Sequence, residues 1–208
     1  MAEEAWVDQA AYPAARSGGE ARRSLAILPA MALRKRVLTS EAEFLALPES
    51  VDKIELLDGE VQVSPSPTLF HQLVLGRIFV KLSIWAEGQD PRPFVGQSPL
   101  DVRFGANRIL QPDALVVLGE VDATAKGPLS QIPDLCVEVV SMDRVYDRVT
   151  KRMIYAAAGV REFWVVELSG MVERWAGPGL QTVEEVTSVL ETPLLPGFSI
   201  DVEALFRS

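Results

Sequence analysis

The chain has 208 residues, of which 48% are hydrophobic, and it carries a formal net charge of −9 at neutral pH. This length and apolar content are typical of one globular domain with a real core rather than of a disordered chain. The negative charge excludes a protein that coats nucleic acid through a broad basic surface, although an enzyme could still bind phosphates locally.

A single cysteine, Cys136, and a single histidine, His71, restrict the chemistry further. One cysteine excludes a disulfide within the chain, and a cytoplasmic location is the default expectation. One histidine excludes a His-rich metal site, so any bound metal would have mostly oxygen ligands, as Mg²⁺ or Mn²⁺ prefers. We identify no apolar stretch as long as a membrane span and no signal segment, and we therefore expect no membrane partner.

The first third of the chain contains an extension, a short helix and a hairpin. Residues 1–36 form an N-terminal extension that we expect to be disordered or loosely packed, because its first 30 residues lack sustained periodicity. Ser40 and Glu43 match a capping box, which predicts a short helix before Pro48. Two short strands with Asp-Gly between them predict a tight hairpin over residues 54–63.

The rest of the chain predicts two longer helices and several strands. The helices are expected from 68 to about 85 and from about 144 to 158, where a glycine ends the second helix. The strands are expected at about 99–104, 113–118, 134–140, 162–168, 172–175 and 180–187. This order predicts an α/β fold with a mixed sheet, without the regular alternation of a doubly wound dinucleotide-binding fold and without a Gly-rich phosphate loop.

Two acidic residues lie in apolar strands. Asp113 follows Pro112 at the start of one strand, and Glu138 lies inside an almost wholly apolar one. A buried carboxylate is costly unless its charge is compensated, and a divalent metal shared by both strands would compensate it. The alternatives are a buried arginine that pairs with Glu138, and a turn-forming role for Asp113 after its proline.

A basic helix follows these strands and carries Arg148, Lys151 and Arg152. Two carboxylates and nearby cations suit metal-dependent phosphodiester hydrolysis, in which acids hold the metal and cations stabilise the charge on the phosphate. The alternative for Lys151 is a solvated helix face on which it pairs with Asp147. A two-carboxylate glycosidase is disfavoured, because such a site does not call for these basic residues.

Several segments follow one another in an order and at a spacing that are specific to one family. They are Ile54–Glu60, Ser64–Pro67 with His71, Gln111–Asp113, Pro133–Ser141, Asp147 with Lys151, Tyr155–Val166 and Leu195–Phe198. On these segments the chain resembles the PD-(D/E)XK nuclease superfamily and, more narrowly, the bacterial Uma-type restriction endonuclease family. The resemblance covers about residues 38–206. It implies a restriction-endonuclease-like core over 37–208, with a mixed central β-sheet flanked by helices.

The resemblance also implies roles for the acidic residues. Asp113 and Glu138 would be the ligands of Mg²⁺ (or Mn²⁺), and the backbone carbonyl of Val139 would complete the shell. Glu55 matches an upstream acid near the metal, although the hairpin alternation alone would allow it to face solvent.

One position departs from the superfamily pattern. The residue two after Glu138 should be lysine and is Val140. The Uma-type family usually shows this loss, with a lysine on the following helix, here Lys151, which would orient the attacking water. We expect Arg148 and Arg152 to bind phosphate.

His71 matches a position near the substrate, although a lone histidine near a helix start is usually a cap or a surface residue.

These observations predict a metal-dependent endonuclease that hydrolyses phosphodiester bonds in DNA. A homodimer is plausible because cleavage of both strands of a duplex requires two active sites. The alternative is a non-catalytic module that binds nucleic acid or protein on a nuclease-like scaffold. The absence of a lysine at position 140 and the negative net charge support that alternative.

Overall fold

The described part of the chain, residues 38–48, 50, 52–140 and 146–207 of a computed structural model, forms strands and helices in the predicted order. The strands are β1 (Lys53–Leu57), β2 (Glu60–Ser64), β3 (Phe94–Gln97), β4 (Val102–Gly105), β5 (Arg108–Leu110), β6 (Ala114–Val117), β7 (Leu135–Val140), β8 (Glu162–Glu167), β9 (Met171–Ala176), β10 (Thr182–Val186), β11 (Val189–Glu191) and β12 (Ser199–Asp201). The helices are α1 (Glu41–Leu45), α2 (Leu69–Glu87), α3 (Lys151–Ala158) and α4 (Val202–Phe206). The predicted extension, 1–36, lies outside the described residues.

The strands form a mixed α/β architecture, as predicted. A six-stranded sheet has the order β10-β9-β8-β7-β6-β3, in which β7 and β8 are parallel and all other neighbours are antiparallel. A four-stranded antiparallel sheet has the order β2-β1-β5-β4, and β11 pairs with β12. Because the central strand β7 has a partner on each side, its backbone is hydrogen-bonded along both edges.

Four strands were not predicted from the sequence. Three of them, β3, β11 and β12, are only three or four residues long. The fourth is β5, which was not separated from the apolar run ending in β6. Pro112 divides this run into two strands that belong to different sheets, because proline has no backbone N–H to donate to a ladder.

Helices cover both faces of the six-stranded sheet. Successive side chains of a strand point to opposite faces, so Val137 and Val139 of β7 pack in the same cluster as Ile78 of α2. Cys136 and Val140 point the other way, toward α3. Burial on both faces explains the nearly continuous apolar sequence of β7.

The helix starts and the hairpin follow the predicted local signals. Ser40 and Glu43 form the capping box at the start of α1, and the hydroxyl of Thr68 accepts a hydrogen bond at the start of α2. Asp58 and Gly59 connect β1 to β2 with φ angles of 50° and 84°, as a tight hairpin turn requires. The predicted second helix is α3, preceded by a π-helical turn at Tyr146–Thr150.

Helix α2 corrects one expectation. Its 19 residues have a mean hydropathy of 1.3 in the most apolar window, so a stretch of the length and composition of a membrane span does exist. A core helix of a globular protein meets the same criterion, and α2 contributes Val74 and Leu82 to the core. Its outer side exposes Leu69, Val80 and Ile84, which explains the high hydropathy.

The hairpin turn gives a stability prediction. Gly59→Ala should lower the free energy of unfolding by about 1 kcal/mol, because an L side chain is disfavoured at positive φ. A Cβ at this position would lie 3.4 Å from a Leu38 methyl group, which is ordinary contact, so the cost arises from the backbone. Gly119→Ala is the control, since its φ is not positive and no atom lies within 4 Å of the added carbon. Urea denaturation with equal losses in both variants would contradict this prediction.

Candidate active site

The register of β6 against β7 brings the two predicted acids together. Ala114 pairs with Val137, and Leu115 pairs with Cys136. One residue further along this antiparallel register, Asp113 lies opposite the position of Glu138. Alternation along both strands turns the two carboxylates to the face of the sheet that carries α3.

Asp113 is buried and accepts hydrogen bonds on both carboxylate oxygens. The backbone N–H of Val139 donates to Oδ2 at 2.8 Å, and the Lys53 ammonium donates to Oδ1 at 2.9 Å. His71 Nε2 lies 3.5 Å from Oδ2. Burial acts to raise the pKa of Asp113, but Lys53, Lys151 and His71 together outweigh burial and hold this pKa below its ordinary value.

Glu138 is 2% exposed and has three close partners. Lys151 Nζ lies 3.0 Å from Oε1, the Tyr155 hydroxyl donates to the same oxygen at 2.7 Å, and Lys53 Nζ lies 3.5 Å from Oε2. Burial is the main cause that raises the pKa of Glu138 to about 7, and the charge of Asp113 adds to it. The positively charged partners of Glu138 are two lysines, so the alternative of a buried arginine partner is wrong.

Glu55 joins the same cluster from the other sheet. It is 1% exposed, so the alternative that it faces solvent is wrong. Its Oε1 accepts the backbone N–H of Gln111 at 2.8 Å and lies 3.0 Å from Lys151 Nζ. Since the chain continues from Gln111 through Pro112 to Asp113, the two sheets meet at this point.

Lys151 is the first residue of α3 and is only 1% exposed. Its ammonium lies between Glu55 and Glu138, so the alternative of a solvated helix face is wrong. The side chain of Asp147 lies outside the described residues. The structure thus brings together four of the predicted residues, Glu55, Asp113, Glu138 and Lys151, with His71 at the edge of the group.

Two further residues of the cluster were not predicted as site residues. Lys53 contacts both Asp113 and Glu138, and its signal in the sequence is that it precedes Glu55 by two residues on a strand, which places both on one face. Tyr155 donates to Glu138 and lies one helical turn after Lys151, a spacing that predicts a shared helix face.

The aromatic surroundings hold Tyr155 in place. Its ring centroid lies 4.7 Å from that of Phe104 and 5.2 Å from that of Phe163. Complete burial, together with the charge of Glu138, raises the pKa of Tyr155 well above its ordinary value. The hydroxyl therefore remains a hydrogen-bond donor to Glu138.

The two predicted phosphate-binding arginines contact groups outside this cluster. Arg148 forms ion pairs with Glu167 and Glu173. The guanidinium of Arg152 lies 3.9 Å from the ring centroid of Trp175, a cation–π contact. Binding of phosphate by these arginines stays a prediction, and it would require phosphate to approach them in these surroundings.

The oxygen donors of the cluster are of the kind that a hard divalent cation prefers. Among the described residues, no group of three Asp, Glu, His or Cys side chains is arranged as a ready-made metal site. Asp113 Oδ1 and Glu138 Oε2 nevertheless approach one positive group, the Lys53 ammonium, at 2.9 and 3.5 Å. Two carboxylate oxygens that already face a common cation fit a divalent ion in that position.

A mixed sheet flanked by helices, with paired acids on adjacent strands and a lysine against them, defines a restriction-endonuclease-like fold. The chain is similar to a solved structure described as "a putative nuclease belonging to DUF820" from Anabaena variabilis ATCC 29413, with a TM-score of 0.67 and 20% sequence identity. The match covers 80% of this chain and 97% of that one. The model of the Uma2 family, described as "Putative restriction endonuclease", matches residues 41–203, and the chain belongs to this family. No curated protein matches the chain.

The raised pKa of Glu138 predicts a pH-dependent stability. The folded state holds the proton of Glu138 up to about pH 7, whereas an unfolded glutamate loses it near pH 4.3. The folded state therefore binds more protons between these values, and this contribution to stability is lost as pH rises through the interval.

We expect the stability of wild type relative to Glu138→Gln to fall by about 3 kcal/mol between pH 4.3 and 7 and to level off above pH 7. Urea denaturation in a chelating buffer measures this difference. The control is Glu185→Gln, at an exposed strand position, for which the difference from wild type should stay flat. A constant difference for Glu138→Gln over the interval would show that Glu138 titrates normally.

Proposed function

We propose that this chain is a Mg²⁺-dependent (or Mn²⁺-dependent) endonuclease that hydrolyses phosphodiester bonds in DNA. The observation that carries the proposal is the buried cluster of three carboxylates and two lysines at the junction of the two sheets. Membership of a family described as restriction endonucleases supports the choice of nucleic acid as the substrate. A cytoplasmic location, where DNA is accessible in a bacterium, is part of the proposal.

In this proposal Asp113 and Glu138 hold the ion. When bound, a divalent ion supplies Lewis-acid stabilisation of the phosphate and a water of lowered pKa. Val139 is proposed as a third ligand through its carbonyl. In an extended strand the N–H and C=O of one residue point to the same side, and the N–H of Val139 donates to Asp113.

The remaining residues position the water and the substrate. Lys151, held at 3.0 Å from both Glu55 and Glu138, is proposed to orient the attacking water and to stabilise negative charge on the phosphate. Glu55 is proposed to fix this lysine and to lie close to the ion. His71, which reaches Asp113 from the first turn of α2, is proposed to contact the substrate.

DNA cleavage tests the proposal. Wild type should cleave supercoiled and linear duplex DNA with Mg²⁺ or Mn²⁺ and should be inactive with excess chelator. Asp113→Asn should lose at least about two orders of magnitude in rate, as expected for a lost metal ligand. Glu185→Gln, at an exposed position, should retain full activity.

Cleavage that persists in chelator or in Asp113→Asn would reject this mechanism. Binding of DNA without cleavage under every metal condition would favour the non-catalytic module instead.

Replacement of the helix lysine tests its role. Lys151→Ala should lose about two to four orders of magnitude in rate, the size expected for a lost general acid–base or electrostatic group. Val140→Lys in the Lys151→Ala background should recover part of the rate, because position 140 lies two residues beyond Glu138 on the same face. Lys81→Ala, on the exposed side of α2, is the matched control.

Because Lys151 is buried, circular dichroism must first show that each variant is folded. Full activity of folded Lys151→Ala would remove this residue from the mechanism.

A homodimer is the proposed form of the active protein. Hydrolysis of both strands of a duplex needs two active sites, which a two-fold symmetric pair would supply. Sedimentation at the concentration of the cleavage assay measures the oligomeric state. A monomer that makes double-strand breaks at a rate proportional to its concentration would contradict the homodimer.

A further inference from the structure

Lys53 occupies a specific place in the charged cluster. Its ammonium lies 2.9 Å from Asp113 Oδ1 and 3.5 Å from Glu138 Oε2. The side chain of Lys53 is 18% exposed, whereas that of Lys151 is 1% exposed. Lys53 therefore closes the solvent side of the cluster, and Lys151 closes the buried side.

The two lysines divide the carboxylate oxygens between them. Lys151 contacts Glu55 and the Oε1 atom of Glu138. Lys53 bridges the other oxygen of Glu138 to Asp113. Of the two lysines, only Lys53 thus contacts both carboxylates that are proposed to bind the metal, Asp113 and Glu138.

Lys53 and a divalent ion would compete for these two oxygens. An ion held by Asp113 Oδ1 and Glu138 Oε2 would lie at or beside the ammonium, and two cations so close together repel strongly in a buried site. Lys53 can leave, since it is the first residue of β1, is partly exposed and has a flexible four-carbon side chain. Lys151 is enclosed at the start of α3 and has no comparable route to solvent.

We propose that Lys53 is a built-in counter-cation that occupies the divalent metal position in the metal-free protein and is displaced when the metal binds. This inference rests on the proposed function, because it requires a metal at Asp113 and Glu138. In the metal-free protein Lys53 compensates the two carboxylates and keeps them in place. The same contact raises the metal concentration at which the site fills.

Lys53 is then a positioning residue, and its removal should change metal affinity and the stability of the metal-free protein in opposite directions. Loss of a residue with a merely structural role would disturb the carboxylates and weaken metal binding. Loss of a competing cation should instead strengthen metal binding while it destabilises the metal-free protein. The two effects have opposite signs, so binding measurements separate these explanations.

Calorimetric titration with Mn²⁺ alone tests the inference on the full-length chain. Lys53→Met should bind Mn²⁺ about tenfold more tightly than wild type, or more, because the competing charge is absent. In chelator its melting temperature should be lower than that of wild type. Addition of Mn²⁺ should raise the melting temperature of the variant more than that of wild type. Lys81→Met, on the exposed side of α2, should match wild type in every measurement.

Two further variants keep the test decisive. Lys53→Gln is neutral but can still donate a hydrogen bond to Asp113, so it serves if Lys53→Met does not fold, and it too should bind Mn²⁺ more tightly. Lys53→Arg keeps the charge and should bind Mn²⁺ no more tightly than wild type.

Equal or weaker Mn²⁺ binding by the folded neutral variant overturns the role of Lys53 and leaves the metal site intact. Tighter binding by Lys53→Arg overturns it as well. Absence of Mn²⁺ binding in wild type and in all variants overturns both the inference and the proposed metal-dependent function.

Discussion

Mutual compensation among buried charges is the constraint on which the site depends. Glu55, Asp113 and Glu138 are nearly inaccessible to solvent, and each lies within 3.5 Å of at least one lysine nitrogen. Removal of a single partner from such a group leaves a buried charge without compensation, which typically costs several kcal/mol. The members of the cluster are therefore interdependent, and each one fixes the position of the others.

This interdependence also fixes how the two sheets meet. One carboxylate comes from β1 of the four-stranded sheet. Of the other two, one comes from β7 of the six-stranded sheet and one from the residue that directly precedes β6. The direct connection is Gln111-Pro112, whose first residue donates its backbone N–H to Glu55. Lys151 then contacts an acid from each sheet, so the site is a property of the junction rather than of either sheet alone.

Local signals predicted those elements whose structure depends on residues that lie close together in the sequence. The capping box of α1, the Asp-Gly turn and the apolar periodicity of α2 each specify their own conformation, and the structure confirms them. The nearly continuous apolar sequence of β7 likewise identified Glu138 as a buried acid. The mixed sheet and the family were predicted as well, since several weak segments agreed in order and spacing.

The remaining features depend on tertiary pairing. Whether Glu55 faces solvent or the core depends on the pairing of β1 with β5, which no local pattern specifies. The same pairing carries Lys53 into the cluster, and for that reason its role was not predictable from the sequence. The alternative of a solvated helix face was wrong for Lys151, because acidic partners on the neighbouring strands allow this residue to be buried.

The order of the charged residues along the chain has a consequence for synthesis on the ribosome. A nascent chain that ends after β6 already contains Lys53, Glu55 and Asp113 but lacks Glu138 and Lys151. A connection over residues 118–134, of which the greater part is exposed, separates the two groups. The cluster can therefore form only after α3 has left the exit tunnel. The order of the residues along the chain thus delays completion of the charged cluster until most of the chain has been made.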